Sequence, residues 1–307
     1  MISVILVDYK SIDRTIEYIK HLLCFLEIQG RIHFLVIDNY SDSQALNKLT
    51  RVFGEYNAVS DYNKRPIYLF SDSRFDVIYF DPGENGGYAK GNNVGVHISE
   101  KLYNDSYYVI SNNDLRLTEK LNWTNVENIF KNDNKIAVVG PRVIGLDGKD
   151  QSPHKRPSYF DVLIAPYIIH FGIIPYKADI SYDGNNKKCY RVMGSFLIMR
   201  PDYFRKVDYF DEKTFLFGEE LILGEKLKSV GLTMFFWNDY KIIHEHGAVI
   251  GKNQAKLVSD KISFSSCLYY FKRYRKLPKL IEYISKVNFN LYLIRVKIKI
   301  LLKGSNK

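Results

Sequence analysis

VIYFDPGENGGYAKGNNVGVHIS, residues 77–99, contains a strand, a turn and a helix in succession. Val77–Phe80 is apolar and aromatic, the composition of a short buried strand. Asp81-Pro82-Gly83-Glu84-Asn85-Gly86-Gly87 is turn-forming, and Tyr88–Ser99 carries a helical pattern. A glycine-rich turn that opens a helix lets backbone amides approach phosphate or ribose closely. The segment is neither the Gly-x-Gly-x-x-Gly dinucleotide signature nor a P-loop, because the terminal Lys-Ser/Thr is missing. What it specifies is one unit of an α/β sheet.

The same unit recurs on either side. Towards the N-terminus, strands are predicted at Ile2–Val7 and His33–Ile37, with helices over Ile12–Ile28 and Ser43–Phe53. Towards the C-terminus, strands at Tyr107–Ile110 and Ile136–Val139 flank a helix over Glu119–Lys131. The alternation predicts an α/β fold with a mostly parallel sheet flanked by helices on both faces. In such sheets ligands gather beyond the carboxyl ends of the strands. Those ends are polar here: Asp8-Tyr9-Lys10, Asp38-Asn39, Asp81 to Gly87, and Asn112-Asn113-Asp114. Carboxylates at successive strand ends converge on one rim and suit a cation or polar ligand, although Asp and Asn are also ordinary turn and capping residues. From about 140 to 250 the pattern is less regular. Arg191–Met199 reads as a buried strand, Glu219–Val230 as a helix, and Thr233–Trp237 with Lys241–His244 as two short strands.

A chain of 307 residues that is 46% hydrophobic and 15% aromatic suits a packed core and not a disordered protein. Cys24, Cys189 and Cys267 form no Cys-x-x-Cys pair and no disulfide framework, which points to a reducing compartment. The sequence starts directly on a strand-like run, so no signal peptide is expected. No apolar run reaches the ~18 to 20 residues that a spanning helix needs. The formal charge of +10 is uneven: from Lys252 onward, 14 Lys and Arg face only Asp260 and Glu282. The near-neutral body argues against a nucleic-acid partner, and the basic tail argues for contact with something anionic.

Eight motifs follow one another along the chain: VDYK (7–10), VIDNYSD (36–42), ENGGYAKGNNVG (84–95), SNNDL (111–115), GPRVIGLDGK (140–149), MGSFLIMR (193–200), FDEKTFLFGEEL (210–221) and KIIHEHG (241–247). In these the chain resembles family-two glycosyltransferases, specifically the bacterial polysaccharide branch that includes rhamnosyltransferases. The resemblance runs from Ile2 to about Ala248. It implies a GT-A-like nucleotide-sugar-binding catalytic domain over residues 1–250, followed by a basic helical tail over 251–307. The implied activity is an inverting, metal-dependent hexosyltransferase. It would move a sugar from a UDP- or dTDP-sugar to a hydroxyl of a lipid-linked or growing surface glycan, in polysaccharide biosynthesis for the cell envelope.

The resemblance also assigns site residues. A departing nucleotide diphosphate builds negative charge that a divalent ion commonly neutralises. Asn112-Asn113-Asp114 stands where the family carries its Asp-x-Asp type motif, which makes Asp114 the carboxylate for Mg²⁺ or Mn²⁺ and places Asn112 beside the donor. Such ions take oxygen ligands and keep waters, so one carboxylate plus the diphosphate can suffice. His244 and His246 resemble the family's terminal histidine, and at i and i+2 of a strand both rings face the same way. Tyr9 and Asp38 fall at the base, with Asp38 accepting from N3–H of uracil or thymine. Asn85, Gly87, Lys90 and Asn92 fall on the nucleotide side, and Gly194 and Ser195 look like the small residues beside the donor sugar. Inversion needs a base that takes the proton of the acceptor hydroxyl. FLFGEEL matches Glu219 and Glu220 to the family's Glu-Asp pair, with Glu220 in place of the Asp and Ile222 where a second acid is often found. Two acids in a first turn also simply favour the helix dipole. Arg142, His154 and Arg156 lie in a stretch similar to the family's variable donor or acceptor loop.

Beyond the motifs, Leu291, Ile294, Ile298, Leu301 and Leu302 fall on one helical face, with Arg295, Lys299 and Lys303 along a flank. This is the pattern of an interfacial helix on an anionic membrane surface, and equally of a helix docked on the body with snorkelling lysines. The first alternative makes the chain a cytoplasmic protein, peripheral on the inner face of the cell membrane. Three other functions compete with the transferase. A catalytically silent sugar-nucleotide or glycan-binding subunit is supported by Glu220 and Ile222 alone. A nucleotidyltransferase needs a Gly-rich signature with Arg and Lys after the first strand, which VDYKSIDR lacks. A nucleic-acid binder rests on the tail alone.

Overall fold

The structure, a computed structural model, describes residues 1–39, 44–168, 181–245 and 254–304. The first half runs β1 (Ile2–Asp8), α1 (Ile12–Phe25), β2 (Leu26–Glu27), β3 (Ile32–Asp38), α2 (Ala45–Phe53), β4 (Asn57–Tyr62), β5 (Arg65–Ser71), β6 (Phe75–Phe80), α3 (Gly87–Leu102) and β7 (Tyr107–Ser111). Then come β8 (Leu115–Leu117), β9 (Leu121–Asn122), α4 (Trp123–Asn132) and β10 (Ile136–Gly145). A π-helical turn, Phe160–Ile164, leads into α5 (Ala165–Ile168). The remainder is β11 (Lys187–Cys189), β12 (Phe196–Met199), α6 (Pro201–Lys206), α7 (Glu219–Ser229), β13 (Thr233–His244), α8 (Gln254–Tyr274) and α9 (Lys279–Gly304).

The main sheet has the order β11-β13-β10-β12-β7-β1-β3-β6-β5-β4, with β8 added beside β13. Its centre, β7-β1-β3-β6, is parallel as the alternation predicts. The sheet as a whole is mixed, which corrects the mostly parallel expectation. β12 runs antiparallel between β7 and β10, and β4 and β5 form an antiparallel edge. β12 also starts later than predicted: Arg191 makes an isolated bridge to His154, and the strand itself is Phe196–Met199. The two short strands at 233–237 and 241–244 are one strand, β13, whose register against β10 shifts between Pro141 and Arg142.

Side-chain alternation along the central strands divides the core into two layers. Val4 and Leu6 of β1 pack with Ile12, Ile16, Ile19 and Leu22 of α1 on one face. Ile5 of the same strand packs with Ala89, Val94 and Ile98 of α3, and with Leu223 and Leu227 of α7, on the other. α3 lies so close to the sheet that a Cβ on Gly95 would come within 2.5 Å of Ile5 Cγ2. A third apolar cluster joins the tail to the body. Phe264 of α8 stacks on Phe289 of α9 at 4.0 Å between ring centroids, and Tyr167, Leu163, Leu221 and Ile222 close around them.

Candidate functional site

The rim beyond β1, β3 and β7 is assembled first by hydrogen bonds that hold the strand ends together. Asp8 is fully buried and accepts from Ser11 N at 3.1 Å, Ser11 Oγ at 2.8 Å and Thr15 Oγ1 at 2.6 Å, which ties the end of β1 to the start of α1. Asn113 Nδ2 donates to Ser11 Oγ at 2.9 Å and Thr15 Oγ1 at 2.7 Å, and so fastens the end of β7 to the same point. Two of the polar strand-end residues, Asp8 and Asn113, are thereby occupied in structure. Asp38 is buried and accepts from the Tyr79 hydroxyl at 2.8 Å, while Tyr9 is exposed with Lys10 Nζ 5.2 Å from its ring centre.

The glycine-rich turn is held by a residue not among the expected site residues. Asn39 Nδ2 donates to Asn85 Oδ1 at 3.0 Å and to the Gly87 carbonyl at 2.9 Å, and Asn39 Oδ1 accepts from Gly86 N at 3.3 Å. Its place directly after Asp38 at a strand end was the only signal in the sequence. Gly87 has φ +85°, and a Cβ there would lie 2.2 Å from the Phe215 carbonyl oxygen, which accepts from Tyr88 N at 2.8 Å. Glycine is required by that close approach as well as by its backbone angle. The turn thus packs α3 against the 210–218 loop, which leads into α7. Lys90 is turned to Glu84 at 2.5 Å, and Asn92 is fully buried, donating to the Tyr88 carbonyl at 2.9 Å.

Asp114 and His244 are brought together because β8, just after Asp114, pairs antiparallel with the end of β13, Leu115 opposite His244. His244 Nε2 stands 3.2 Å from Asp114 Oδ1, and His244 Nδ1 lies 2.8 Å from Gln151 Oε1. The imidazole thus bridges the glutamine amide and the carboxylate, and these two partners orient its ring. Among the described residues no group of three His, Cys, Asp or Glu gathers as a metal cage. A carboxylate and an imidazole that leave the other positions to diphosphate oxygens and water nonetheless fit Mn²⁺, which accepts both ligand types, and Mg²⁺ through the carboxylate. His246 lies outside the described residues. Asn112 joins this group to the next, its backbone N–H donating to the Ser195 carbonyl at 2.9 Å.

On the facing side, Phe217 at φ 68° and Gly218 at φ +88° turn the chain sharply into α7, so that Glu219 and Glu220 form its first turn. Their environments differ. Glu220 Oε1 accepts from Arg191 Nη1 at 2.8 Å, and Glu220 Oε2 lies against Gly194, where a Cβ would come within 3.2 Å. Glu219 is 5% exposed, and its Oε1 has no hydrogen-bond partner among the described residues. Burial, then the neighbouring Glu220, push its carboxyl up to about 8. Tyr88 ties the two halves together: its hydroxyl donates to the Gly194 carbonyl at 3.2 Å, and Glu219, Glu220 and Asp114 each raise it, after burial itself. Ser195 is buried beside them. Of the expected loop residues, Arg142 pairs with Asp150 at 2.6 Å, Arg156 pairs with Glu225, and His154 Nε2 meets the Gln151 carbonyl at 2.7 Å.

No protein-family model matches the chain. It is similar to the low-salt glycan biosynthesis hexosyltransferase Agl10 of Haloferax volcanii, 25% identical over 222 residues. The match takes in 72% of this chain and 59% of that relative, so the chain spans about three fifths of the length of the curated protein it matches. Among solved structures, a mannosyltransferase from Pyrobaculum calidifontis in complex with GDP-Man and Mn²⁺ superimposes with a TM-score of 0.55 at 10% identity, over 100% of this chain and 75% of that one. GalNAc-T7 with UDP, GalNAc and Mn²⁺ gives 0.55 at 10% identity over 98% and 57%, and Staphylococcus aureus TarS 1–349 gives 0.51 at 15% over 96% and 80%. The architecture is therefore a GT-A-like glycosyltransferase fold, a large mixed sheet flanked by helices.

Proposed function

We propose that the chain is an inverting, metal-assisted glycosyltransferase that moves a hexosyl group from a UDP- or dTDP-sugar to a hydroxyl of a lipid-linked or growing surface glycan, in polysaccharide biosynthesis at the inner face of the cell membrane. The observation that carries this reading is the convergence of Asp114 and His244 with Glu219 and Glu220 around Tyr88 and Gly194, on one rim of the sheet. The names of the similar proteins support it: a hexosyltransferase of glycan biosynthesis, and structures with UDP or GDP-Man and Mn²⁺.

Asp114 and His244 are the residues that would hold a divalent ion, which when bound supplies positive charge to the departing diphosphate. Tyr9 and Asp38 take the base side, and the Asn85–Gly87 turn opens the α3 N-terminus to ribose or phosphate. Gly194 and Ser195 leave room for the donor sugar. Burial and the neighbouring carboxylate raise Glu219, which disfavours charge on it, whereas Glu220 is held by the Arg191 guanidinium and takes the base role. The Arg191 guanidinium fixes one Glu220 oxygen, and the other faces Gly194 and accepts the acceptor hydroxyl proton. The acceptor oxygen then bonds to the anomeric carbon on the side opposite the departing diphosphate, which inverts that carbon.

The test is thermal stabilisation by a panel of nucleoside diphosphates with and without Mn²⁺. A ligand held only by the native fold at a hundred times its Kd adds about 2.7 kcal/mol. UDP or dTDP should raise Tm only with the metal, and Asp114→Ala should abolish the rise. If no nucleotide stabilises under any metal, the reading fails and a glycan-binding subunit replaces it.

A further inference from the structure

We propose that the outward face of α9 is a docking surface for an anionic lipid bilayer, with the helix lying along the membrane plane. The proposal deepens the transferase reading by naming the surface on which the acceptor would be met, and rests on that reading only for its biological setting. α9 has two working faces. Phe289 and Tyr292 are buried against the body, and Asn288 Nδ2 donates to the Ile164 carbonyl at 3.0 Å. Docking on the body and a membrane-facing stripe were alternatives in the sequence, but the helix is long enough in cross-section for both.

The opposite face carries Leu280, Ile284, Val287, Leu291, Ile294 and Ile298, spaced alternately four and three residues apart. All six are exposed, Leu280 at 68% and Ile294 at 55%. At 1.5 Å per residue the stripe runs for roughly 27 Å, a continuous apolar ridge of the kind soluble monomers rarely leave in water. Among the described residues no helix is long and apolar enough to cross a membrane, so the ridge is read as lying on a surface. Leu301, Leu302 and Lys303, expected to extend it, have side chains outside the described set.

Heptad-like spacing also suits a second copy of the same helix. The flanks decide between the two. At 100° per residue, Lys279, Lys286 and Lys297 lie along one side of the ridge, with Arg295 and Lys299 along the other. Glu282, the acid of this helix, points to the opposite side and holds Lys272 at 2.9 Å and Lys286 at 2.7 Å. Lys279, Lys297 and Lys299 have no ion pair among the described residues. A second α9, parallel or antiparallel, would set Lys and Arg against Lys and Arg, which is repulsive. A bilayer with anionic headgroups answers both features at once, taking the ridge into the acyl boundary and the flanking cations at the phosphates.

Flotation of the full chain with vesicles of phosphatidylglycerol and phosphatidylcholine, against phosphatidylcholine alone, tests this. The chain should float with the anionic vesicles and not with the neutral ones. Lys297→Gln/Lys299→Gln should weaken binding about 25-fold, at about fivefold per charge, and Leu291→Glu/Ile294→Glu should abolish it, both with unchanged circular dichroism. No binding to anionic vesicles, or equal binding to neutral ones, overturns the proposal. So does a dimer that Leu291→Glu/Ile294→Glu converts to monomer while the unaltered chain ignores vesicles. Nucleotide-dependent stabilisation is read separately, so vesicle binding without it sinks the transferase reading and leaves this one standing.

Discussion

Glu219→Gln should remove a pH dependence of stability and make the protein more stable above neutrality. Glu219 is held nearly out of water beside Glu220, with one carboxyl oxygen lacking a hydrogen-bond partner among the described residues. Its carboxyl is raised from 4.5 to about 8. A group that binds its proton more tightly when folded stabilises fully below its unfolded value, and that contribution is lost as pH rises through its folded value. At about 1.4 kcal/mol per decade, the rise sets a ceiling of about 5 kcal/mol. Water penetration and relaxation of the helix start bring the expected loss to about 2–3 kcal/mol between about pH 5 and 9. Glu219→Gln keeps the shape and abolishes the titration. Urea denaturation at a series of pH values, for both proteins, reads the difference directly. The unaltered chain should lose about 2–3 kcal/mol relative to Glu219→Gln across that range, with equal m-values. Parallel pH profiles would refute the argument that burial keeps Glu219 protonated, and with it the reason for assigning the base to Glu220.

Glu220→Gln should lower turnover by about 10² to 10⁴ while nucleotide affinity is retained, as expected for a base that acts on the acceptor; initial rates and thermal shifts measured together check this. Glu220→Asp should keep more of the rate than Glu220→Gln, because it retains a carboxylate, though one methylene further from Arg191 and the acceptor. Gly87→Ala should cost about 2–4 kcal/mol by chemical denaturation and weaken nucleotide binding, since its Cβ would meet the Phe215 carbonyl oxygen at 2.2 Å where φ is +85°.

What the sequence revealed follows from where information is local. β1, β3, β6 and β7 were readable to within a residue or two because both their faces are buried and apolar or aromatic residues dominate their runs. β4 and β5 were not, because NAVSDY is an exposed edge, and the Asn63-Lys64 turn lacks the usual glycine although both residues have positive φ. The helical pattern near the end of the tail was readable, but its division into α8 and α9, one docked through Phe264 and the other through Phe289, depends on partners far away in sequence. The same limit applies at the site. Asp114 and the Glu219-Glu220 pair stand out as strand-end and helix-start acids. Asn39, Gln151 and Arg191 do not, because each acts by holding a residue that only the fold brings near it. Asp8 shows the converse, a conspicuous strand-end carboxylate consumed by the start of α1.

The most direct test of the transferase assignment is incubation of the chain with a panel of UDP-, dTDP- and GDP-sugars and Mn²⁺, with an oligosaccharide or lipid-linked acceptor, followed by NMR of the product. The expected result is release of one nucleoside diphosphate that depends on acceptor, Asp114 and Glu220, and a new linkage with the anomeric configuration opposite to the donor's. Retention of configuration would contradict the inverting role given to Glu220. Release of no diphosphate from any donor, by a folded chain that still binds nucleotide, would contradict the assignment as a transferase.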